Sequence, residues 1–464
     1  MKRTVLTLLV VAACCMAVAQ EVTPFKAGDR VAFVGNSITD GGHYHSYIWL
    51  YYMTRFPSEQ MWMANCGIGG DTAEDILRRF DGDVAAKNPT VVTLTFGMND
   101  TGYWEYNGDD ATAFANRKVN EARTNFLEIE KKLKKLTGTR VVMIGTSPYD
   151  QTSTFNDNIY RRKNDAMERV IAIQDSAARA NRWEFLDFNA PMCEVNARMQ
   201  KDDPTFTVCG NDRVHPDNDG HMLMAYIFLK AQGMAGRPVA DVSIDARRKK
   251  AEKAVNCSIA DVAGSKDVLT FDYLAEALPY PLDTISHGWG FSRSQAEILK
   301  MVPDFNDEMN SERLTVGGLK GSWRLLIDDI LIDTLAAGEL ERGINLATYR
   351  HTPQYQQACA VMSLNEERWD IERRIRDFVW LQYGWFLKEH GIVDYTTEEA
   401  ARTYREGSKS NGWVNSRKDI YSRLIHPEVM QLLEQEQDLI VRTIYAINTP
   451  VTRHFRLERL KIKD

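Results

Sequence analysis

The sequence predicts an α/β fold over its first half and a mostly helical second half. Three observations predict it. Five short runs of aliphatic and β-branched residues recur between residues 31 and 187. Helix-length amphipathic stretches separate them, and strands alternating with helices build a parallel sheet covered on both faces. The composition then changes near Gly236-Arg237-Pro238.

Val31-Ala32-Phe33-Val34 is a short apolar run ending at Gly35, the pattern of a buried parallel strand. Residues 61–65, 91–95, Arg140–Gly145 and 183–187 give the other four strands. Helical patterns fall at 45–56, 72–80, 113–136, 161–181 and 219–232. Sheets wound this way bind ligands beyond the carboxyl ends of their strands. Past the composition change, 246–255 reads as a charged helix, followed by an irregular section to about 312 with Pro279, Pro281 and Gly288-Trp289-Gly290. Residues 314–335 read as two or three short strands with tight turns at Gly317-Gly318 and Gly321. The remainder is helical: 365–390 with Gly391 as its C-cap, then 397–406 and Pro427–Ile447. The divisions are a leader over 1–19, an α/β domain over 20–240 and an extension over 241–464.

With 464 residues, 44% hydrophobic and 26% charged, the chain has the composition of a soluble globular protein. That excludes a disordered tail, a collagen-like fibre, a disulfide-dense miniprotein and a multi-span membrane protein. A net charge of -7 argues against a nucleic-acid footprint. Lys2 and Arg3, the apolar run from Val5 to Val11 and Ala17-Val18-Ala19 make a secretory signal peptide cleaved after Ala19. A competing lipobox at Val11-Ala12-Ala13-Cys14 would lipidate Cys14, but its apolar core is brief. Either way the protein is exported, to the periplasm or beyond, with no transmembrane segment in the mature chain. Cys66, Cys193, Cys209, Cys257 and Cys359 remain after the favoured cut. An odd count cannot pair fully; Cys193–Cys209 is the candidate disulfide, against buried free thiols. No Cys/His metal spacing occurs.

Four short motifs carry the chemistry. Gly35-Asn36-Ser37-Ile38-Thr39 follows the first strand, and a sharp turn there lifts Ser37 above the sheet edge. Asn65-Cys66-Gly67-Ile68-Gly69-Gly70-Asp71-Thr72 follows the second and offers bare N–H groups to a developing negative charge. It lacks the Gly-Lys-Ser/Thr element of a Walker loop. Gly97-Met98-Asn99-Asp100 follows the third strand, where an asparagine amide can donate to the same oxyanion. Asp212-Arg213-Val214-His215-Pro216 precedes the last helix of the domain, so that imidazole can sit over Ser37 with a carboxylate behind it. Alone, each motif also reads as a cap, an anion loop or a turn.

Together, in this order and strand context, the four motifs resemble the SGNH (GDSL-type) hydrolase superfamily over about residues 28–235. The resemblance implies a flavodoxin-like three-layer domain and a serine esterase needing no cofactor or metal. It implies Ser37 as nucleophile, His215 as base and Asp212 as its orienting carboxylate. The N–H groups of Ser37 and Gly70 and the side chain of Asn99 would form the oxyanion hole. The first block here reads Gly-Asn-Ser where the family usually has Gly-Asp-Ser, which alters loop hydrogen bonding without removing a triad member. Residues 318–347 resemble a region that follows this domain in some long bacterial members.

His43, Tyr103, Trp104 and Tyr149 lie close to the blocks and are candidate substrate contacts, as are Tyr106 and Asp150 less directly. The aromatics would stack on a sugar ring or merely pin a loop; His43 and His45 would touch substrate, mimic a metal pair with Asp100, or be loop and helix-start residues. His221 is the rival base, but Asn218, not a carboxylate, stands three residues before it. The expected function is an exported O-deacetylase on carbohydrate esters. A lipase, lysophospholipase or thioesterase with the same triad, and a non-catalytic glycan-binding protein, are the alternatives. The partner is a small or polymeric ester; oligomeric state is open.

Overall fold

The five apolar runs form one parallel sheet because both of its faces are covered. The computed structural model describes residues 21–288 and 292–460. The expected leader over 1–19, Cys14 and Trp289-Gly290 lie outside those residues. The strands are β1 (Arg30–Gly35), β2 (Trp62–Gly67), β3 (Val91–Phe96), β4 (Arg140–Gly145) and β5 (Glu184–Asp187), in the order β2-β1-β3-β4-β5. All pairings are parallel. From β1 the chain runs first to β2 on one side, then to β3 on the other. The loops leaving β1 and β3 therefore diverge and open a crevice at their carboxyl ends.

The helices follow the sequence pattern: α1 (Ser37–Asp40), α2 (Tyr44–Arg55), α3 (Ala73–Arg79), α4 (Ala111–Lys135), α5 (Lys163–Asn181), α6 (Asn189–Met199) and α7 (Asn218–Ala231). Only α1 and α6 were not anticipated. One face of the sheet packs Phe33 against Trp49 and Met53 of α2 and Phe228 of α7. The other packs Val34, Leu94 and Phe96 against Ile76 of α3, Phe126 of α4 and Val170 of α5.

The second half carries more strand than expected. One sheet, ordered β13-β10-β6-β7, contains β6 (Ala240–Asp245), β7 (Lys250–Val255), β10 (Glu312–Gly317) and β13 (Ile344–Asn345). The other, ordered β12-β11-β14-β9-β8, contains β8 (Cys257–Gly264), β9 (Val268–Ala275), β11 (Ser322–Ile327), β12 (Ile330–Ala336) and β14 (Arg453–Arg459). Val242, Ile244, Leu269, Phe271, Trp323, Leu325 and Phe455 join the two sheets in one core. The helix expected over 246–255 is corrected: Lys249 turns left-handed at φ 55° and the chain folds back as β7 against β6. Its lysines and glutamate guard a sheet edge instead of covering a helix.

Short helices α8 (Ile298–Met301), α9 (Phe305–Met309) and α10 (Ala337–Arg342) precede α11 (Pro353–Trp380). α11 starts earlier than the periodicity suggested and continues in wider turns to Glu389, with Gly391 at φ 68° closing it. Then come α12 (Glu398–Ser410), α13 (Gly412–Ser416), α14 (Lys418–Leu424) and α15 (Pro427–Ile447). α11 packs along α15 on one side and along α2 on the other. No helix among the described residues is long and apolar enough to cross a membrane.

Candidate active site

Asn36 ends β1 and caps the next turn, its Oδ1 accepting the Ile38 N–H at 3.0 Å. Ser37 thus stands at the carboxyl edge of the sheet, 8% exposed. Its Oγ lies 2.8 Å from His215 Nε2. On the far side of the ring, His215 Nδ1 lies 2.5 Å from Asp212 Oδ2. The other oxygen, Asp212 Oδ1, accepts the N–H groups of Val214 and His215, both at 2.9 Å. Burial would raise this carboxyl, but the bonds from His215 and the two N–H groups outweigh it and hold it below the usual carboxylate range. The ionised group can only accept, which assigns the proton to Nδ1 and leaves Nε2 to accept from the Ser37 hydroxyl.

The loop that carries this pair is braced from below. Arg213 turns left-handed at φ 67° and sends its buried guanidinium back to the carbonyls of Asp150, Ser153 and Asn156, at 3.1, 2.9 and 2.6 Å. Nothing in the sequence reading singled it out, although an arginine inside the Asp-x-x-His block was the available signal.

The second and third blocks meet each other, Asn99 on Asp71 and Asp100 on Ala73. Gly70 has φ 86° and is exposed, with open space where a Cβ would sit. Gly67 must lack a Cβ, since one would lie 2.3 Å from the Asp40 nitrogen. The second block is tied to the first as well: Ile68 N–H donates to Gly35 O at 3.2 Å and Gly69 N–H to the Asp40 carboxylate, Oδ2, at 2.9 Å. Asp100 accepts the Ala73 and Gly97 N–H groups at 2.7 and 2.8 Å. Burial pushes the carboxyls of Asp40 and Asp100 up to about 6.

Asn99 donates one amide N–H to Asp71 O at 2.9 Å and accepts the Tyr103 hydroxyl on Oδ1 at 2.7 Å. An amide has two N–H donors, so one remains for a ligand. Beneath Tyr103, the buried ammonium of Lys163 lies 4.0 Å from the ring centroid. It donates to Met98 O and Gly102 O, both at 2.6 Å, and to Thr101 Oγ1 at 2.9 Å. Burial lowers its pKa to about 7. Lys163 holds the Asn99 loop and was also missed in the sequence.

Two expected substrate contacts are corrected. His43 is fully buried, stacked on Trp369 with ring centroids 3.9 Å apart, and its Nε2 pairs with Glu366 at 3.0 Å. Tyr149 is buried too, its hydroxyl accepting the Tyr160 N–H at 3.0 Å. Tyr103 is partly buried and occupied with Asn99, while Trp104 is 70% exposed and free to meet a ligand. The rival His221 is buried against Tyr44, and burial drops its pKa far below the usual value. All five cysteines among the described residues are free thiols; Cys209 Sγ donates to Pro148 O.

A hydroxyl within reach of a proton acceptor, and an orienting carboxylate behind that acceptor, are the parts acyl transfer needs. Comparison with known proteins points the same way. The model of the GDSL-like Lipase/Acylhydrolase family matches residues 33–223, and that of the diltiazem deacetylase C-terminal helical domain matches residues 359–449. A solved gut microbial diltiazem-metabolizing enzyme is 52% identical, with TM-score 0.93, over 95% of this chain and 100% of its own. An acetylxylan esterase from Geobacillus stearothermophilus is 25% identical over 222 residues, 45% of this chain and 95% of the relative.

Proposed function

We propose, on the premise that the chain belongs to the GDSL-like lipase/acylhydrolase (SGNH) family and is an esterase, that Ser37 removes acetyl groups from ring-borne alcohols through an acyl-enzyme. His215 Nε2 takes the Ser37 proton as Oγ attacks the ester carbonyl carbon. The carbonyl oxygen becomes an oxyanion facing the N–H groups of Ser37 and Gly70 and the free amide N–H of Asn99. His215 then gives its proton to the departing alkoxide, and the C–O bond breaks. Water, deprotonated by the same imidazole, attacks the acyl-enzyme; acetate leaves and the proton returns to Oγ. Asp212 stays ionised throughout and stabilises the imidazolium. The observation that carries this reading is the continuous Ser37–His215–Asp212 relay at 2.8 and 2.5 Å.

The alcohol we propose is a carbohydrate hydroxyl. Exposed Trp104 beside the Asn99 loop supports it, and so does the leader, which would deliver the enzyme to extracellular glycans. The acetylxylan esterase relative is named for such a substrate. A second reading has its own support: the relative at 52% identity is named for diltiazem, a non-carbohydrate ester. Acetate release from acetylated xylo-oligosaccharides and from diltiazem, measured side by side, separates the two. Comparing 4-nitrophenyl acetate with the octanoate tests the lipase alternative, which requires the longer ester to be the better substrate.

A further inference from the structure

The face of α11 that meets the α/β domain carries polar side chains spent on the backbone beside the catalytic blocks. Trp369 Nε1 donates to Gly42 O at 3.3 Å, and Glu372 Oε1 accepts the Asn65 N–H at 2.7 Å. Arg376 Nε and Nη2 donate to Gly67 O at 2.9 and 2.8 Å, and Trp380 Nε1 donates to Gly69 O at 3.2 Å. Positions three or four apart lie on one side of a helix, so these residues form a single stripe. Arg376 is anchored by Asp83 at 2.6 and 2.8 Å, and Arg79 ties Asp83 to Gly35 O at 2.6 and 3.0 Å.

The last contact of the stripe bears on chemistry. The Gly69 carbonyl and the Gly70 N–H belong to one planar trans peptide and point in opposite directions. Whatever fixes that carbonyl aims that N–H. Two consecutive glycines leave the peptide unusually free to rotate, and nothing lies within 4 Å of a Cβ on Gly70 to restrain it. Its ends are held by Gly69 N–H on Asp40 Oδ2 at 2.9 Å and by the turn that Asp71 N–H closes on Ile68 O at 3.2 Å, and the Trp380 indole holds its carbonyl. The indole is itself held, with the Arg417 guanidinium 4.3 Å from its ring centroid and Arg417 paired to Asp377 at 2.8 Å.

We infer that Trp380 is a positioning residue of the oxyanion hole, aiming the Gly70 N–H through the Gly69 carbonyl, so that the C-terminal helical region is a working part of the esterase site. The inference rests on the proposal that Gly70 N–H meets the oxyanion. The test uses full-length Trp380→Phe and Trp380→Met, which both delete the N–H while only the first keeps an aromatic ring, with Trp385→Phe as control. Trp385 lies on the same helical run, and its indole N–H has no hydrogen-bond partner. For 4-nitrophenyl acetate, both Trp380 variants should lose roughly 3- to 10-fold in kcat, the worth of one hydrogen bond, with KM within about twofold of wild type. Affinity for a trifluoromethyl ketone, whose adduct with Ser37 carries an oxyanion, should fall by the same factor, while Trp385→Phe leaves all three values unchanged. Wild-type kcat in either folded Trp380 variant would overturn the inference. Asn99→Ala separates this from failure of the underlying proposal. If Asn99→Ala loses activity and the Trp380 variants do not, only the inference fails; if Asn99→Ala is also fully active, the oxyanion site itself is misplaced.

Discussion

Tyr103→Phe removes a single oxygen and tests how the Asn99 amide is aimed. The hydroxyl donates to Asn99 Oδ1 at 2.7 Å, and the ring it leaves behind still covers the Lys163 ammonium. Burial holds the Tyr103 phenol far above its ordinary pKa, so the group is a donor at any working pH. Without it, the amide keeps one tether, Nδ2 to Asp71 O at 2.9 Å. Losing a hydrogen bond between neutral groups costs about 1 kcal/mol, or roughly fivefold in kcat if all of it appears in the transition state. The upper bound is loss of the donor itself: about 100- to 1,000-fold, expected for Asn99→Ala. Steady-state hydrolysis of 4-nitrophenyl acetate should therefore rank wild type, Tyr103→Phe and Asn99→Ala in that order, with KM little changed. A Tyr103→Phe enzyme at wild-type kcat beside a crippled Asn99→Ala would refute the orienting role of the hydroxyl.

Other perturbations probe the rest of the account. Asp212→Asn should lower kcat roughly 100- to 10,000-fold, because an amide facing Nδ1 favours the tautomer with its proton on Nε2, pointed at Ser37; a variant within tenfold of wild type would show that the carboxylate does not set the ring. Burial raises Glu312, which accepts from Tyr273 and Gln354 at 2.9 and 3.0 Å, from 4.5 to about 7. A carboxyl raised on folding adds stability below its unfolded pKa and loses it as pH rises through the folded one, here about 3 kcal/mol between pH 4.5 and 7. Urea melts at pH 5 and 8 should show wild type losing that stability and Glu312→Gln losing much less; parallel behaviour would contradict the assignment. Arg376→Met strands the buried Asp83 with Arg79 alone and should destabilise by about 3–5 kcal/mol in the same melts; a loss under 1 kcal/mol would mean that Arg79 neutralises Asp83 unaided.

How legible each part was follows from where its partners lie. β1 to β4 read cleanly because a parallel strand buried on both faces is a plain apolar run, as Val91–Phe96 shows with every residue buried. The sandwich read poorly because its pairings span the chain. β14 enters between β11 and β9, and only Phe455 and Leu457 of Arg453–Arg459 turn fully inward, too short an alternation to stand out. The Ala, Lys and Glu residues at 250–254 have helical propensity, and pairing with β6 overrode it. Ser37, Asp212 and His215 were identifiable because a relay needs those residue types after a strand and before a helix, and the fold brings them together across 178 positions. His43 and Tyr149 misled because nearness in sequence says nothing of which way a ring faces, and both are taken up by Trp369 and Tyr160. Arg376 and Trp380 were invisible, since their partners are backbone carbonyls more than 300 residues away.

The most direct test of the central claim is acetate release from 4-nitrophenyl acetate by wild type and Ser37→Ala, both shown to be folded. The account predicts turnover by the wild type and a fall to the uncatalysed background in the variant. Equal activity in the two proteins would contradict it and remove Ser37 from the chemistry.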